Sequence, residues 1–119
     1  MKRPARLALL AAALSFSFIP MTATGEDAAA LKSSLQYLTG IDEVEWIDFD
    51  KNNVYIGFER RPADLAAIVN AAAVIGNRAY GFGVHVWAVN AKRPGWRPGD
   101  GPYYCEATAR YGELKDSCK

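Results

Sequence analysis

Histidine and cysteine are scarce in this chain: its 119 residues contain one His, His85, and two Cys, Cys105 and Cys118. A lone imidazole excludes a His-rich metal cluster. No Ser/His/Asp or Cys/His arrangement can be assembled around it, so no catalytic machinery is legible and a non-enzymatic role is expected. Charge excess is missing as well, with 14 Lys+Arg against 13 Asp+Glu and a formal net charge of +1. Such a balance provides no basic footprint for nucleic acid or an anionic membrane surface. Nor does any apolar run approach the roughly 20 residues of a membrane-spanning helix; the longest, Leu7 to Ile19, has 13. Repeats and domain-splitting linkers are also absent. What remains is a chain that is 50% hydrophobic, enough to fold as one small domain.

The N-terminus has the grammar of a secretory signal peptide. Lys2, Arg3 and Arg6 precede the apolar run, Pro20 breaks it, and Ala23-Thr24-Gly25 places small residues before a cleavage point at Glu26. Residues 1–25 are therefore expected to be a leader and 26–119 a single α+β domain. Removing that leader takes three of the 14 basic residues and none of the 13 acidic ones, leaving a mature charge of −2. The expected location is the periplasm or the medium, with no membrane span after cleavage.

In an exported chain the simplest fate of an isolated cysteine pair is a disulfide. Cys105–Cys118 would pin a C-terminal strand and tail, contributing roughly 2–4 kcal/mol. The alternative is a metal site in which the two thiolates, with His85 or Glu106, hold copper or another soft cation.

Periodicity sets out the elements. Glu26 to Leu38 reads as a helix with Leu31, Leu35 and Leu38 on one face, stopped by Thr39-Gly40 with Gly40 left-handed. Glu43–Phe49 and Val54–Phe58 flank the turn residues Asp50-Lys51-Asn52-Asn53 and read as a β-hairpin, with Val54, Ile56 and Phe58 sharing a face. From Pro62 a second helix is expected, its stripe Leu65, Ile68, Val69, Ala72 and Ile75 ending at Gly76-Asn77. Gly83–Val89 has two apolar faces and reads as a central strand. Lys92–Pro102 is a Gly/Pro loop, Tyr103–Arg110 a last strand, and Tyr111–Lys119 a tail.

This order and its local sequence resemble the heavy-metal-associated domain of copper chaperones and periplasmic mercury-binding proteins. The resemblance covers roughly residues 15–90. It rests on Leu31-Lys32-Ser33-Ser34-Leu35 with Leu38, Gly40-Ile41-Asp42-Glu43-Val44, the hairpin Ile47-Asp48-Phe49-Asp50 through Val54-Tyr55-Ile56, Pro62-Ala63-Asp64-Leu65-Ala66-Ala67-Ile68, and Ala79-Tyr80. The resemblance implies a ferredoxin-like two-layer sandwich, two helices on an antiparallel sheet. It also implies a Cys-x-x-Cys loop, but here Pro20-Met21-Thr22-Ala23-Thr24-Gly25-Glu26 has Ala23 and Glu26 at the thiol positions. Under this resemblance Ser15–Ile19 would be the first strand and not the end of a leader; if it is cleaved, Tyr103–Arg110 could take its place beside Val84–Val89.

Other patterns compete with simpler explanations. Asp48, Asp50, Asn52 and Glu59 match a calcium-loop spacing, yet Asn53 stands where that loop needs Gly and the flanks alternate as strands. The acidic run from Asp42 to Asp50 reads as a solvated strand edge that discourages edge pairing. Trp87, Trp96, Tyr103 and Tyr104 gather with Arg93 and Arg97 around one loop. These are either the anchors of a protein interface or a loop folded onto the sheet.

The expected function is an exported, non-catalytic binding or accessory domain that carries no cofactor and engages another periplasmic or secreted protein. The alternatives are a periplasmic metal-binding protein using Cys105, Cys118 and His85, and a subunit or inhibitor that docks on an enzyme through the Trp96 loop.

Overall fold

The computed structural model describes residues 27–118. The leader expected over 1–25, the strand alternative at Ser15–Ile19 and the loop around Ala23 and Glu26 lie outside the described residues.

A short helix α1 (Ala28–Ser34) opens the fold, capped by Asp27, whose carboxylate accepts from the Ala30 N–H. It passes into a 3₁₀ turn over Gln36–Gly40, so the expected continuous helix divides in two. Leu31, Leu35 and Leu38 nevertheless all reach the core. Gly40 is not left-handed; the 3₁₀ turn exits through an extended Ile41. The hairpin follows as β1 (Val44–Asp50) and β2 (Asn53–Phe58). Asp50 pairs with Asn53, which leaves a two-residue turn. Lys51 takes its left-handed position at φ 55°.

Helix α2 (Leu65–Tyr80) runs beyond the expected stop at Gly76-Asn77 and ends instead at a left-handed Gly81, φ 94°. Gly76 is a packing residue. A Cβ there would lie 3.0 Å from Leu31 Cδ1 and 3.3 Å from Val84 Cγ1, so its absence lets α2 approach both α1 and the sheet. The buried stripe is Leu65, Ile68, Val69, Ala72, Ala73, Gly76 and Tyr80, and Ile75 lies on the exposed side. By the helical period Ile75 lies about 100° from the centre of that stripe, just beyond Ile68 at its margin.

Strands β3 (Val84–Asn90), β4 (Cys105–Arg110) and β5 (Glu113–Asp116) complete one five-stranded sheet in the order β1-β2-β3-β4-β5. The sheet is mixed, not antiparallel as expected, because β2 and β3 pair in parallel across the α2 crossover while the other pairs are antiparallel. In the ferredoxin-like pattern the strands of the βαβ unit are split by a third strand; here β2 and β3 bond to each other directly. Two helices on one face and a mixed sheet therefore make an α+β two-layer sandwich. Tyr103–Arg110 was the candidate for a place beside the central strand, and β4 (Cys105–Arg110) runs antiparallel there.

The expected C-terminal tail forms β5. Tyr111 and Gly112 make its turn with φ of 51° and 77°, the two positive angles of a tight hairpin whose twist matches its strands. The cysteines form a disulfide, S–S 2.04 Å and Cα–Cα 5.0 Å, which ties the start of β4 to the chain beyond β5. No described helix is long and apolar enough to cross a membrane.

Alternation along the strands divides the molecule into two apolar layers. Val54, Ile56, Phe58, Val84, Val86, Ala88, Cys105, Ala107 and Ala109 face the helices and form the main core. Tyr55, Trp87 and Val89 face the other way and, with Trp96 and half-buried Trp46, form a second cluster.

Candidate functional site

The helix-free face of the sheet carries all three tryptophans, with Tyr55, Tyr103 and the His85–Glu106 and Arg97–Asp48 pairs. The segment after β3 folds back across this face. Turn bonds from Arg93 N–H to the Asn90 carbonyl (3.0 Å) and from Trp96 N–H to the Arg93 carbonyl (3.2 Å) start the return. Arg93 holds it closed by donating to the carbonyls of Asp100 and, at 3.5 Å, Pro102. Gly95, Gly99 and Gly101 supply the positive φ angles such a path requires.

Trp96, carried down by this loop, is 3% exposed and Trp87 beneath it 9%. Their ring centroids are 5.5 Å apart, Tyr103 lies 5.3 Å from Trp87 and 5.4 Å from Trp96, and Tyr55 lies 6.1 Å from Trp96. These are tilted and edge-on contacts of the kind that aromatic quadrupoles favour. Of the six residues expected at an interface, Trp87 and Trp96 are therefore interior supports. Arg93, Arg97 and Tyr104 are half-buried, and Tyr103, 41% exposed, is the ring that reaches solvent.

A polar network crosses the cluster. His85 stacks on Trp87 with centroids 4.1 Å apart and planes 9° from parallel. Its Nε2 lies 2.5 Å from Glu106 Oε1, and the Tyr103 hydroxyl donates to Glu106 Oε2, also at 2.5 Å. A carboxylate only accepts, so the imidazole donates to it through Nε2. The Glu106 carboxylate, by accepting the phenol's hydrogen bond, raises the Tyr103 pKa, with burial and the carboxylate charge adding to the effect. The indole N–H of Trp87 is buried without a partner.

On the β1 side, Arg97 lies 4.3 Å above the Tyr55 ring and bonds Asp48 Oδ2 at 3.1 Å, with Asp50 Oδ2 at 3.9 Å. Burial raises the Tyr55 pKa, Arg97 opposes this, and Asp50 and Asp48 add to it. The acidic strand edge is thus partly neutralised by the returning loop. Trp46 closes the layer by donating its indole N–H to the Ala91 carbonyl at 2.9 Å.

The residues expected as metal ligands do not come together. Cys105 and Cys118 are bonded to each other within the helix-side core, so neither offers the thiolate that a soft metal needs. His85 is on the opposite face, bound to Glu106. Among the described residues no three His, Cys, Asp or Glu side chains gather as a metal-holding group. The calcium-like spacing belongs to an antiparallel hairpin, as its alternation indicated.

Glu106 is the residue that sequence reasoning left without a role on this face. His85 had no visible carboxylate partner because that partner lies on β4, one register step away: His85 pairs with Thr108, and Trp87 with Glu106. A one-residue slip would send Glu106 into the core, so only the register brings the pair together. The arrangement offers an aromatic platform, a hydrogen-bonded carboxylate and a masked guanidinium. It includes no activated nucleophile. No family model, no curated protein and no solved structure matches this chain.

Proposed function

We propose that the chain is an exported, non-catalytic binding domain that docks a partner protein on the loop-covered, helix-free face of its sheet. One observation carries this reading: Tyr103 stands exposed above a rigid aromatic layer and is held at its hydroxyl by Glu106. An amphipathic ring fixed in this way contributes contact area at little conformational cost, the character of an interface hot spot. Half-buried Arg93 extends the surface along the loop, and Arg97 with Asp48 provides a charge pair at its margin. The disulfide fits an oxidising compartment and supports export. Kinship with the heavy-metal-associated module is proposed only for the hairpin–helix–strand segment 44–90. The order of these elements supports it, and the direct β2–β3 pairing counts against it.

The reading is tested with a photocrosslinking side chain at Tyr103, and separately at exposed Tyr37 on the helical side, in cells that export the protein. Mass spectrometry should find one recurring protein crosslinked from position 103 and not from 37. Equal yields from both positions, or none from 103, would refute docking on this face.

A further inference from the structure

Three connections meet at one end of the sheet: the β1–β2 turn, the α2–β3 link and the β4–β5 turn. Between them lies a cleft of about 630 Å³ lined by Lys51, Asn52, Phe82, Gly83, Arg110 and Tyr111, with Tyr80 at its floor. Its size is in the range of small-molecule sites. It is separate from the Tyr103 platform, and none of its lining residues takes part in the network described above.

Its chemistry is one-sided. Lys51 and Arg110 supply two cations, no carboxylate lines the cleft, and neither cation is ion-paired with another described residue. Asp50, beside Lys51, is directed to Arg97. The negative end of α2 lies next to this space, and two of its last four carbonyls, those of Asn77 and Tyr80, have backbone partners. Tyr80 O accepts from Asp27 N–H at 3.1 Å, Asn77 O from Gly81 N–H at 3.0 Å, and Phe82 O from the Asn77 side chain at 2.7 Å. Two rings complete the lining, Phe82 at 44% and Tyr111 at 86% exposure. Lys51 and Tyr111 are also the two described non-glycine residues with positive φ. Both left-handed backbone positions, uncommon outside glycine, thus place their side chains around the same cleft.

We propose that this cleft binds a small aromatic anion, its acidic group between Lys51 and Arg110 and its ring against Phe82 and Tyr111. Two cations with no ion-pair partner among the described residues select for negative charge, the exposed rings select for a planar apolar surface, and the volume exceeds what a bare inorganic anion fills. Asn52 donates its amide N–H to the Gly83 carbonyl at 3.0 Å, which holds the β1–β2 turn against the α2–β3 link and keeps the two walls in register.

The test is titration of the ¹⁵N-labelled protein with phenyl phosphate, inorganic phosphate and benzyl alcohol. Phenyl phosphate should give saturable shifts at the amides of Lys51, Gly83, Arg110 and Tyr111, binding about tenfold more tightly than either other probe. The Lys51→Ala/Arg110→Ala double variant should lose at least about tenfold in affinity. Phe82→Ala should lose affinity for phenyl phosphate but not for inorganic phosphate, an outcome that stands if the double variant fails to fold. Absence of saturable shifts, an undiminished response in the double variant, or equal binding of phenyl phosphate and inorganic phosphate would overturn the proposal.

Discussion

The contact between Gly57 and Trp46 gives the sharpest test of how the loop-covered face is built. The Trp46 indole lies flat over Gly57, its partner across the hairpin. A Cβ at position 57 would come within 2.6 Å of Trp46 Cδ2 and Cζ2 and closer still to Cε2. The ring would have to turn away, and its 2.9 Å hydrogen bond to the Ala91 carbonyl anchors the loop's first residues. Overpacking of this kind costs about 1–3 kcal/mol, and losing the hydrogen bond about 1 kcal/mol more. Reduced backbone freedom in the unfolded chain offsets about 0.4–1 kcal/mol. Gly57→Ala should therefore destabilise by about 2–3 kcal/mol, a fall in Tm of roughly 10–20 °C for a domain of this size. Urea denaturation followed by circular dichroism and tryptophan emission measures it, repeated in a Trp46→Leu background where most of the penalty should vanish. A loss below about 0.5 kcal/mol, the range of a neutral surface change, or an equal loss in both backgrounds, would refute the reasoning.

Three further outcomes are expected. Replacing both Cys105 and Cys118 with Ser should cost about 3 kcal/mol, as closure of a loop this size predicts, and reductant should lower the Tm of the parent but not of the variant. Because Tyr103's pKa is raised on folding, its contribution to stability is fully present below the unfolded value of about 10 and is lost as pH rises through the folded value. Stability should therefore fall more steeply above pH ~10 in the parent than in Tyr103→Phe, with alkaline denaturation midpoints as the readout; identical pH profiles would count against the Glu106 bond. Tyr111→Asn should raise stability by about 0.5–1 kcal/mol, since Asn tolerates the left-handed turn better, while weakening phenyl phosphate binding. A gain in both would separate the strained turn from the cleft.

Local chemistry was sufficient to read the hairpin, the crossover helix and the central strand. Alternation at Val54, Ile56 and Phe58, the spacing of Leu65, Ile68, Val69 and Ala72, and the two apolar faces of Val84–Val89 are properties of consecutive residues, and each element buries the face they mark. The cysteine pair was readable for a similar reason: two cysteines close in sequence within a folded chain have few other partners, and they bond. Where element boundaries were misplaced, tertiary contact was the cause. Gly76 looked like a helix stop, but the helix continues because α1 needs the space a side chain would fill. The Tyr111-Gly112 turn passed as a tail because its signal is two positive φ angles without the usual Asn-Gly pair.

The site was legible in its members but not in its geometry. Composition alone brought Trp87, Trp96, Arg97 and Tyr103 to one loop. Which of them would be buried and which exposed depended on the loop folding over the sheet, a matter of long-range contact with Tyr55 and Trp46. Sheet register, which no local pattern states, paired His85 with Glu106 and put the cysteines on the other face. The parallel pairing of β2 and β3 was likewise decided in three dimensions, because a strand–helix–strand sequence does not say whether another strand will come between. Nor does the sequence show that Lys51 and Arg110, 59 residues apart, line one cleft. Local periodicity determines which face of an element is apolar; only the closed sheet decides which residues of distant segments share that face.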